Sequence, residues 1–166
     1  MRSKTLRIVG VCVAYLLIVV MAIIALGSDG SMTTTIHKQY GSVKRIILDW
    51  TSSTNGTGGV TQDIRPISGQ LRRVSFVPDS GATAPSNLYD VVLNDPDGID
   101  VLAGLGANLA SNANSSVCGG LACTDASGTT NYIPFAVEGV LTLSITNAGT
   151  SRGGQVVLYV EGMTGR

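Results

Sequence analysis

The 166-residue sequence is poor in charge, in aromatic side chains and in the residues that favour helices. Only 13% of its residues are charged and 5% are aromatic, whereas about 25% of the residues of an average soluble domain are charged. Lysine, glutamate and glutamine, which usually cover helix surfaces, are scarce, and glycine occurs 21 times. This balance favours strands and turns over helices.

The chain also lacks an excess of either charge, since 11 basic residues balance 11 acidic ones. A near-neutral chain has no electrostatic attraction for a polyanion. The pair Arg72–Arg73 is too short a run to form a basic patch. We therefore expect no nucleic-acid partner.

Residues for catalysis are equally scarce. His37 is the single histidine and lies in a polar stretch, where a solvated side chain is the simpler interpretation. A Ser-His-Asp triad would have to use it, and the sequence has no GxSxG elbow, phosphate-binding loop or dinucleotide fingerprint. We expect a protein that is not an enzyme and that uses no cofactor.

Three carboxylates cluster in the stretch "NDPDGID", at Asp95, Asp97 and Asp100. Such a cluster can hold Ca²⁺, but its spacing does not match the alternating ligands and final glutamate of an EF-hand loop. Asp-Pro and Asp-Gly are also ordinary turn sequences. The three residues are candidate ligands only, and we expect no metal site.

The chain has three cysteines, of which Cys118 and Cys123 bracket the tetrapeptide "GGLA". This spacing suits a small disulfide-closed loop, because glycines allow the backbone to bend. A zinc site would need two more ligands, and Cys12 lies in an apolar segment. An extracellular location favours a disulfide between Cys118 and Cys123, and a reducing cytosol favours two free thiols.

Long apolar runs are absent except at the start, where residues 8–26 contain no charge and follow the basic stretch "MRSKTLR". This pattern predicts an N-terminal hydrophobic helix, as a transmembrane anchor or a long signal peptide. Alternatively, residues 1–31 are removed in processing or belong to an upstream start, because "MTTTIHKQYGSVKRI", from Met32, would make a natural start for the mature domain. We assign residues 1–31 to a leader and 32–42 to a linker or arm.

From Val43 onward, apolar and polar residues alternate with a period of two, which is typical of half-buried strands. Leu71 is out of phase with Val74 and Phe76, which predicts a bulge near Arg72–Arg73. Pro66 cannot donate a ladder hydrogen bond, so its strand should lie at an edge or bend there. "IDVLAG" is predicted as a short return strand, and residues 104–131 as a long exposed loop with a helical turn in "ANLASNA".

The chain ends in two alternating runs, "VLTLSITN" and "QVVLYVEG", on either side of a glycine-rich break. We predict that they form a hairpin that completes an antiparallel sheet. The strand count and turn spacing predict an all-β fold over residues 43–162. It is an antiparallel β-sandwich of seven or eight strands, of the jelly-roll or immunoglobulin type.

Several motifs occur in order between residues 43 and 161: "WTS", "PSNLYDVVLND", "DVLAGLGA" and "TLSITNAG" followed by "GQVVLYV". In this run the chain resembles a group of small structural proteins encoded by tailed bacteriophages and prophages. Members of that group begin near the position of Met32, so the leader departs from their pattern. The resemblance implies a virion-associated structural protein.

The expected function is that of a capsid decoration or cement protein on the capsid surface. Its expected partners are the major capsid protein or other virion subunits, together with further copies of itself as a dimer or trimer. A tail or head–tail connector component is a close variant. The alternative is a binding domain anchored in a membrane through residues 8–26 and displayed outside the cytoplasm.

Overall fold

A computed structural model of the chain describes residues 29–38, 42–118, 121–124, 127, 130–133 and 135–162. The predicted N-terminal helix over residues 8–26 lies outside these ranges. Within them the chain forms antiparallel strands and a single 3-10 turn, Gly81–Thr83, so the prediction of an all-β antiparallel fold is confirmed.

Eleven strands lie in the described residues, more than the seven or eight predicted. They are β1 (Ser31–Lys38), β2 (Val43–Thr51), β3 (Val60–Asp63), β4 (Ile67–Pro78), β5 (Asp90–Asn94), β6 (Ser115–Cys118), β7 (Leu121–Thr124), β8 (Thr130–Ile133), β9 (Phe135–Gly139), β10 (Thr142–Thr146) and β11 (Gly153–Glu161).

These strands form three sheets. The largest has the order β1-β2-β11-β4-β6, and β9 also pairs with β4. The second has the order β3-β10-β5, and β7 pairs with β8 as a separate two-stranded sheet. β3 is an edge strand and the chain leaves it before Pro66, as the proline predicts.

Two segments expected to be irregular contain strands. Residues 32–42 were predicted as a linker, but Met32 through Lys38 belong to β1, which pairs with β2 along its whole length. Two short strands, β6 and β7, and the first half of β8 lie within the predicted loop 104–131. These strands are only four residues long, which is too short for an alternating pattern to be recognised from sequence.

The predicted C-terminal hairpin is wrong. β10 pairs with β3 and β5 in the three-stranded sheet, whereas β11 pairs with β2 and β4 in the six-stranded sheet. The break between them therefore crosses from one sheet to the other. Ser52, which is 3% exposed, fixes this crossing. Its hydroxyl donates to the Gly149 carbonyl (2.5 Å) and accepts from the Arg152 N–H (2.9 Å).

Residues 100–109 cover the outer edge of β5. Their backbone bonds to that edge are Val101 N–H to the Leu93 carbonyl, Val91 N–H to the Gly106 carbonyl and Leu109 N–H to the Tyr89 carbonyl, each 2.8 Å. The predicted return strand "IDVLAG" is thus a series of turns with isolated bridges, not a strand. This covering protects an edge that would otherwise be open to another chain.

Apolar residues from both large sheets form one continuous core. The six-stranded sheet supplies alternate residues of β2, β4 and β11. The three-stranded sheet supplies Val60 of β3 and alternate residues of β5 and β10. The Trp50 ring of β2 lies 5.9 Å, centroid to centroid, from that of Tyr89 beside β5. Burial of about 25 cal/mol per Å² of apolar surface makes this shared core the main source of stability.

Tyr89 gives the core a pH dependence, because burial raises the pKa of its hydroxyl to about 12. The unfolded chain loses this proton near pH 10, and the folded chain keeps it until about pH 12. The folded state therefore loses up to about 3 kcal/mol of stability as the pH rises through this window. Denaturant titrations at several pH values should show that the free energy of unfolding falls less steeply with pH in Tyr89→Phe than in the wild type. An unchanged slope would contradict this assignment.

Candidate functional site

The side of the six-stranded sheet that faces away from the core carries a row of three side chains. Arg45 of β2 lies opposite Tyr159 of β11, and Tyr159 lies opposite Arg73 of β4. All three are at least partly exposed. We call these residues the Arg–Tyr–Arg row. It crosses three neighbouring strands at the centre of the largest sheet, so its backbone positions are held by two complete ladders.

Arg73 packs on Tyr159. Its guanidinium carbon lies 3.9 Å from the centre of the ring, which is within range of a cation–π interaction. Partial burial of the Tyr159 hydroxyl opposes its ionisation, but hydrogen bonds and positive charge from Arg45 and Arg73 outweigh this effect. The pKa of Tyr159 is therefore lowered. The tyrosine holds both guanidinium groups close together on one surface.

A β-bulge places these arginines. Tyr159 pairs with Arg73 and the next residue, Val160, pairs with Leu71, so Arg72 is the extra residue of β4. The bulge that the phase of Leu71 predicts is confirmed. Because of it, Arg72 and Arg73 are both exposed, although they are neighbours in a strand. A bulge that redirects side chains in this way is a common device at functional surfaces.

The charges on this face are only partly neutralised. Arg72 forms an ion pair with Glu161, which also accepts a hydrogen bond from Ser42. In the part of the chain that the structure describes, neither Arg45 nor Arg73 forms a salt bridge. Guanidinium groups bind carboxylates and other oxyanions through paired hydrogen bonds. The row can therefore bind an acidic group of another molecule.

The three candidate metal ligands serve as turn residues. The Asp95 carboxylate accepts from the N–H groups of Asp97 and Ile99, at 3.0 and 2.8 Å. The Asp100 carboxylate accepts backbone N–H groups at three positions, namely Leu93, Leu102 and Gly104. Across the described ranges, no three histidine, cysteine or acidic side chains form a group suited to a metal ion.

Cys118 and Cys123 lie on different strands. Cys118 ends β6 opposite Arg73, and Cys123 lies in β7 opposite Asn131. Their side chains lie outside the described set, so the disulfide stays a prediction. His37 is opposite Arg45 in the β1–β2 ladder, and its side chain is likewise outside that set.

A shallow depression of about 410 Å³ lies where β1 begins, next to the start of β3 and the end of β10. Its lining contains one ionisable side chain, that of Asp29, among glycine, hydroxyl and aliphatic groups. A single carboxylate does not provide the acid–base pair that general catalysis uses. The depression therefore gives no support to an enzymatic role.

Comparisons of the chain with protein-family models, with curated proteins and with solved structures find no match. The described ranges contain no helix that is long and apolar enough to cross a membrane.

The sequence did not single out the Arg–Tyr–Arg row as a site. Arg45 and Tyr159 lie on the side of their strands that faces away from the core, and the alternation of residues along β2 and β11 does predict this. However, the three residues come from strands far apart in the chain, and alternation does not reveal which strands are neighbours. In the sequence, Arg73 stands out only as part of the short basic pair Arg72–Arg73.

Replacing Arg73 with glutamine should raise the pKa of Tyr159, because it removes a positive charge and a hydrogen-bond donor. Spectroscopic titration of the tyrosines, compared with Tyr159→Phe to assign the signal, measures this change. Arg45→Gln should shift the same titration in the same direction. Arg72→Gln is the control, since Arg72 pairs with Glu161, and a shift of equal size in this variant would contradict the geometry of the row.

Proposed function

We propose that the protein is a structural component of a tailed-phage or prophage particle, as a decoration or cement protein that stabilises the capsid. The motifs between residues 43 and 161 support this function through their resemblance to phage structural proteins. The Arg–Tyr–Arg row is the observation that carries the proposal. It presents two guanidinium groups, neither bound to a described carboxylate, on a rigid sheet surface.

We infer a β-sandwich architecture for this domain. The support is that the six-stranded and three-stranded sheets contribute alternate residues to one core, and that the chain passes between them after β10. Such a slab suits a protein that binds by its faces and edges. A jelly-roll or an immunoglobulin-type connection would each place the Arg–Tyr–Arg row on an outer face.

The proposed partner is the major capsid protein or another virion subunit with acidic side chains at its surface. An arginine pair held around a tyrosine is pre-organised for carboxylates, which reduces the entropy lost on binding. The residues after position 31 carry 8 basic and 10 acidic side chains. The row is therefore a local positive site on a slightly acidic domain, which favours one orientation on an acidic surface.

A second candidate function is a membrane-anchored binding domain outside the cytoplasm. The uncharged run over residues 8–26, with basic residues before it, favours this alternative. A tail or head–tail connector component is a variant of the first proposal, and it would use the same outer face.

The proposal is tested on particles from a host that carries the gene, with the native copy replaced by a C-terminally tagged one. Gradient-purified particles should contain the chain in a fixed ratio to the major capsid protein, measured by quantitative mass spectrometry. The mature N-terminus is read from the same sample. A chain found only in detergent-extracted membranes, with residues 8–26 retained, would overturn the proposal in favour of the second candidate.

The Arg–Tyr–Arg row is tested in the same particles. The double variant Arg45→Gln/Arg73→Gln should occupy particles at about one-tenth of the wild-type level or less, since each lost charged hydrogen bond costs about 1.5–3 kcal/mol. Lys44→Gln/Arg65→Gln removes the same charge away from this face, at two exposed positions, and should keep nearly full occupancy. Equal loss in both double variants would show that net charge, and not the row, determines binding.

A further inference from the structure

The two large sheets differ in how their edges are protected. In the three-stranded sheet, residues 100–109 cover β5, and β3 is only four residues long. β1 runs for eight residues at the edge of the six-stranded sheet, and no described strand lies on its far side. An edge of this length presents backbone N–H and C=O groups to another strand.

Apart from Lys38 at its end, β1 carries none of the features that usually prevent edge pairing. It contains no proline, and its register with β2 runs without a bulge from Ser31 to Lys38. Its first six residues, "SMTTTI", carry no charge, and Ile36 is 48% exposed. Natural edge strands are commonly blocked by proline, charge or a bulge. The edge of β1 is therefore open to a partner strand.

We infer that β1 pairs antiparallel with β1 of a second copy of this chain, about a twofold axis perpendicular to the sheet. Charge favours this direction, because acidic Asp29 precedes the strand and basic Lys38 ends it. Antiparallel pairing brings the acidic end of one strand beside the basic end of the other. A parallel arrangement would place like charges side by side.

The chemistry of the strand also selects the register. With this symmetry, a given residue points to the same face of the sheet in both copies. Two paired residues therefore share a face only if their residue numbers add to an even value. A sum of 68 places Met32 opposite Ile36, which covers the exposed isoleucine, and places Thr34 opposite Thr34. A sum of 70 would place Met32 opposite Lys38. We assign the first register, which joins two six-stranded sheets into one.

The inference does not depend on the proposed function, because it rests on the β1 edge and not on the outer face. It is tested on the full chain in mild detergent, with Cys12, Cys118 and Cys123 replaced by serine. In this background Thr34→Cys should cross-link to itself on oxidation or with a short bis-maleimide reagent. Directly opposite residues have Cβ atoms about 4.5–5.5 Å apart.

Matched cysteines test the register. Thr33→Cys alone and Thr35→Cys alone should cross-link weakly, because their copies lie on the diagonal at about 7–8 Å. A mixture of these two variants should cross-link efficiently, because position 33 faces position 35 of the other copy. Circular dichroism checks that each variant is folded.

Two charge variants test the pairing without cysteines. Thr33 and Thr35 are exposed, so substitution there should not disturb the core. Thr33→Lys/Thr35→Lys places like charges opposite each other and should weaken dimerisation about tenfold. Thr33→Lys/Thr35→Glu places opposite charges together and should keep the wild-type association. Sedimentation velocity measures both.

A monomeric wild-type chain would overturn the inference. A Thr34→Cys variant that does not cross-link, or equal association of the two charge variants, would overturn it as well. If copies still associate in either of the last two cases, they do so through another surface. None of these outcomes decides whether the chain is present in particles, so failure here is distinguishable from failure of the proposed function.

Discussion

Replacing Gly58 with alanine is expected to destabilise the domain by about 2–5 kcal/mol, from overpacking and from backbone strain. Gly58 has φ of +69°, and an added Cβ would lie 1.8 Å from the Gly149 carbonyl oxygen. The neighbouring backbone is fixed by hydrogen bonds from Ala148 N–H to the Gly58 carbonyl (3.2 Å) and from Gly149 N–H to the Thr57 carbonyl (2.7 Å). The clash can be relieved only by separating these two loops.

Gly56→Ala is the matched control, two residues away in the same loop. Gly56 also has a positive φ, of +57°, but nothing lies within 4 Å of its added Cβ. This variant should lose only about 1–2 kcal/mol of stability, which is the cost of a left-handed backbone for a residue other than glycine. Denaturant unfolding followed by circular dichroism measures both variants. Equal losses would show that backbone conformation alone, and not the contact with Gly149, makes glycine necessary at position 58.

Trp50→Ala is expected to cost about 3–5 kcal/mol, because it leaves a large cavity where the two sheets meet. Trp50 is 2% exposed, lies opposite Gly154 in the β2–β11 ladder and contacts the Tyr89 ring from the other sheet. A loss of this size is a large share of the 5–15 kcal/mol that stabilises a typical domain. The variant should unfold at a much lower denaturant concentration or fail to fold.

Trp50→Phe keeps an aromatic ring between the sheets. It should lose less than half as much stability as Trp50→Ala. Ile99→Ala is a surface control, since Ile99 is 58% exposed, and its change in stability should be within about 1 kcal/mol. Thermal and denaturant unfolding measure all three variants. If Trp50→Ala were as mild as Ile99→Ala, the two sheets would not depend on the tryptophan for their packing.

The alternating pattern was sufficient to predict the buried positions of most long strands. Leu143 and Ile145 of β10, and Leu158 and Val160 of β11, are all fully buried, as their period of two requires. The bulge near Arg72 followed from the phase shift after Leu71. These features are local, because side chains on a strand alternate between faces whatever the strand pairs with.

Strand partners were not predictable in the same way. β10 and β11 have the pattern of a hairpin, yet they belong to different sheets, because their glycine-rich connection can either reverse the chain or carry it across the core. Residues 100–109 have little alternation, and their role as the cover of β5 is defined by backbone bonds to a distant edge. β1 was hidden for a similar reason, since Thr33 and Thr35 are exposed and, of its described side chains, only Met32 belongs to the core.

The sequence by itself determined the class of fold, the buried face of most long strands and the position of the bulge, since each depends on residues within a few positions of one another. Only the tertiary structure decided which strands are neighbours, and with them the Arg–Tyr–Arg row and the open edge of β1. The physical reason is that backbone hydrogen bonds between strands do not depend on the identity of the side chains, so they do not specify which strands pair. Partners are selected by the collective packing of both sheets on one core.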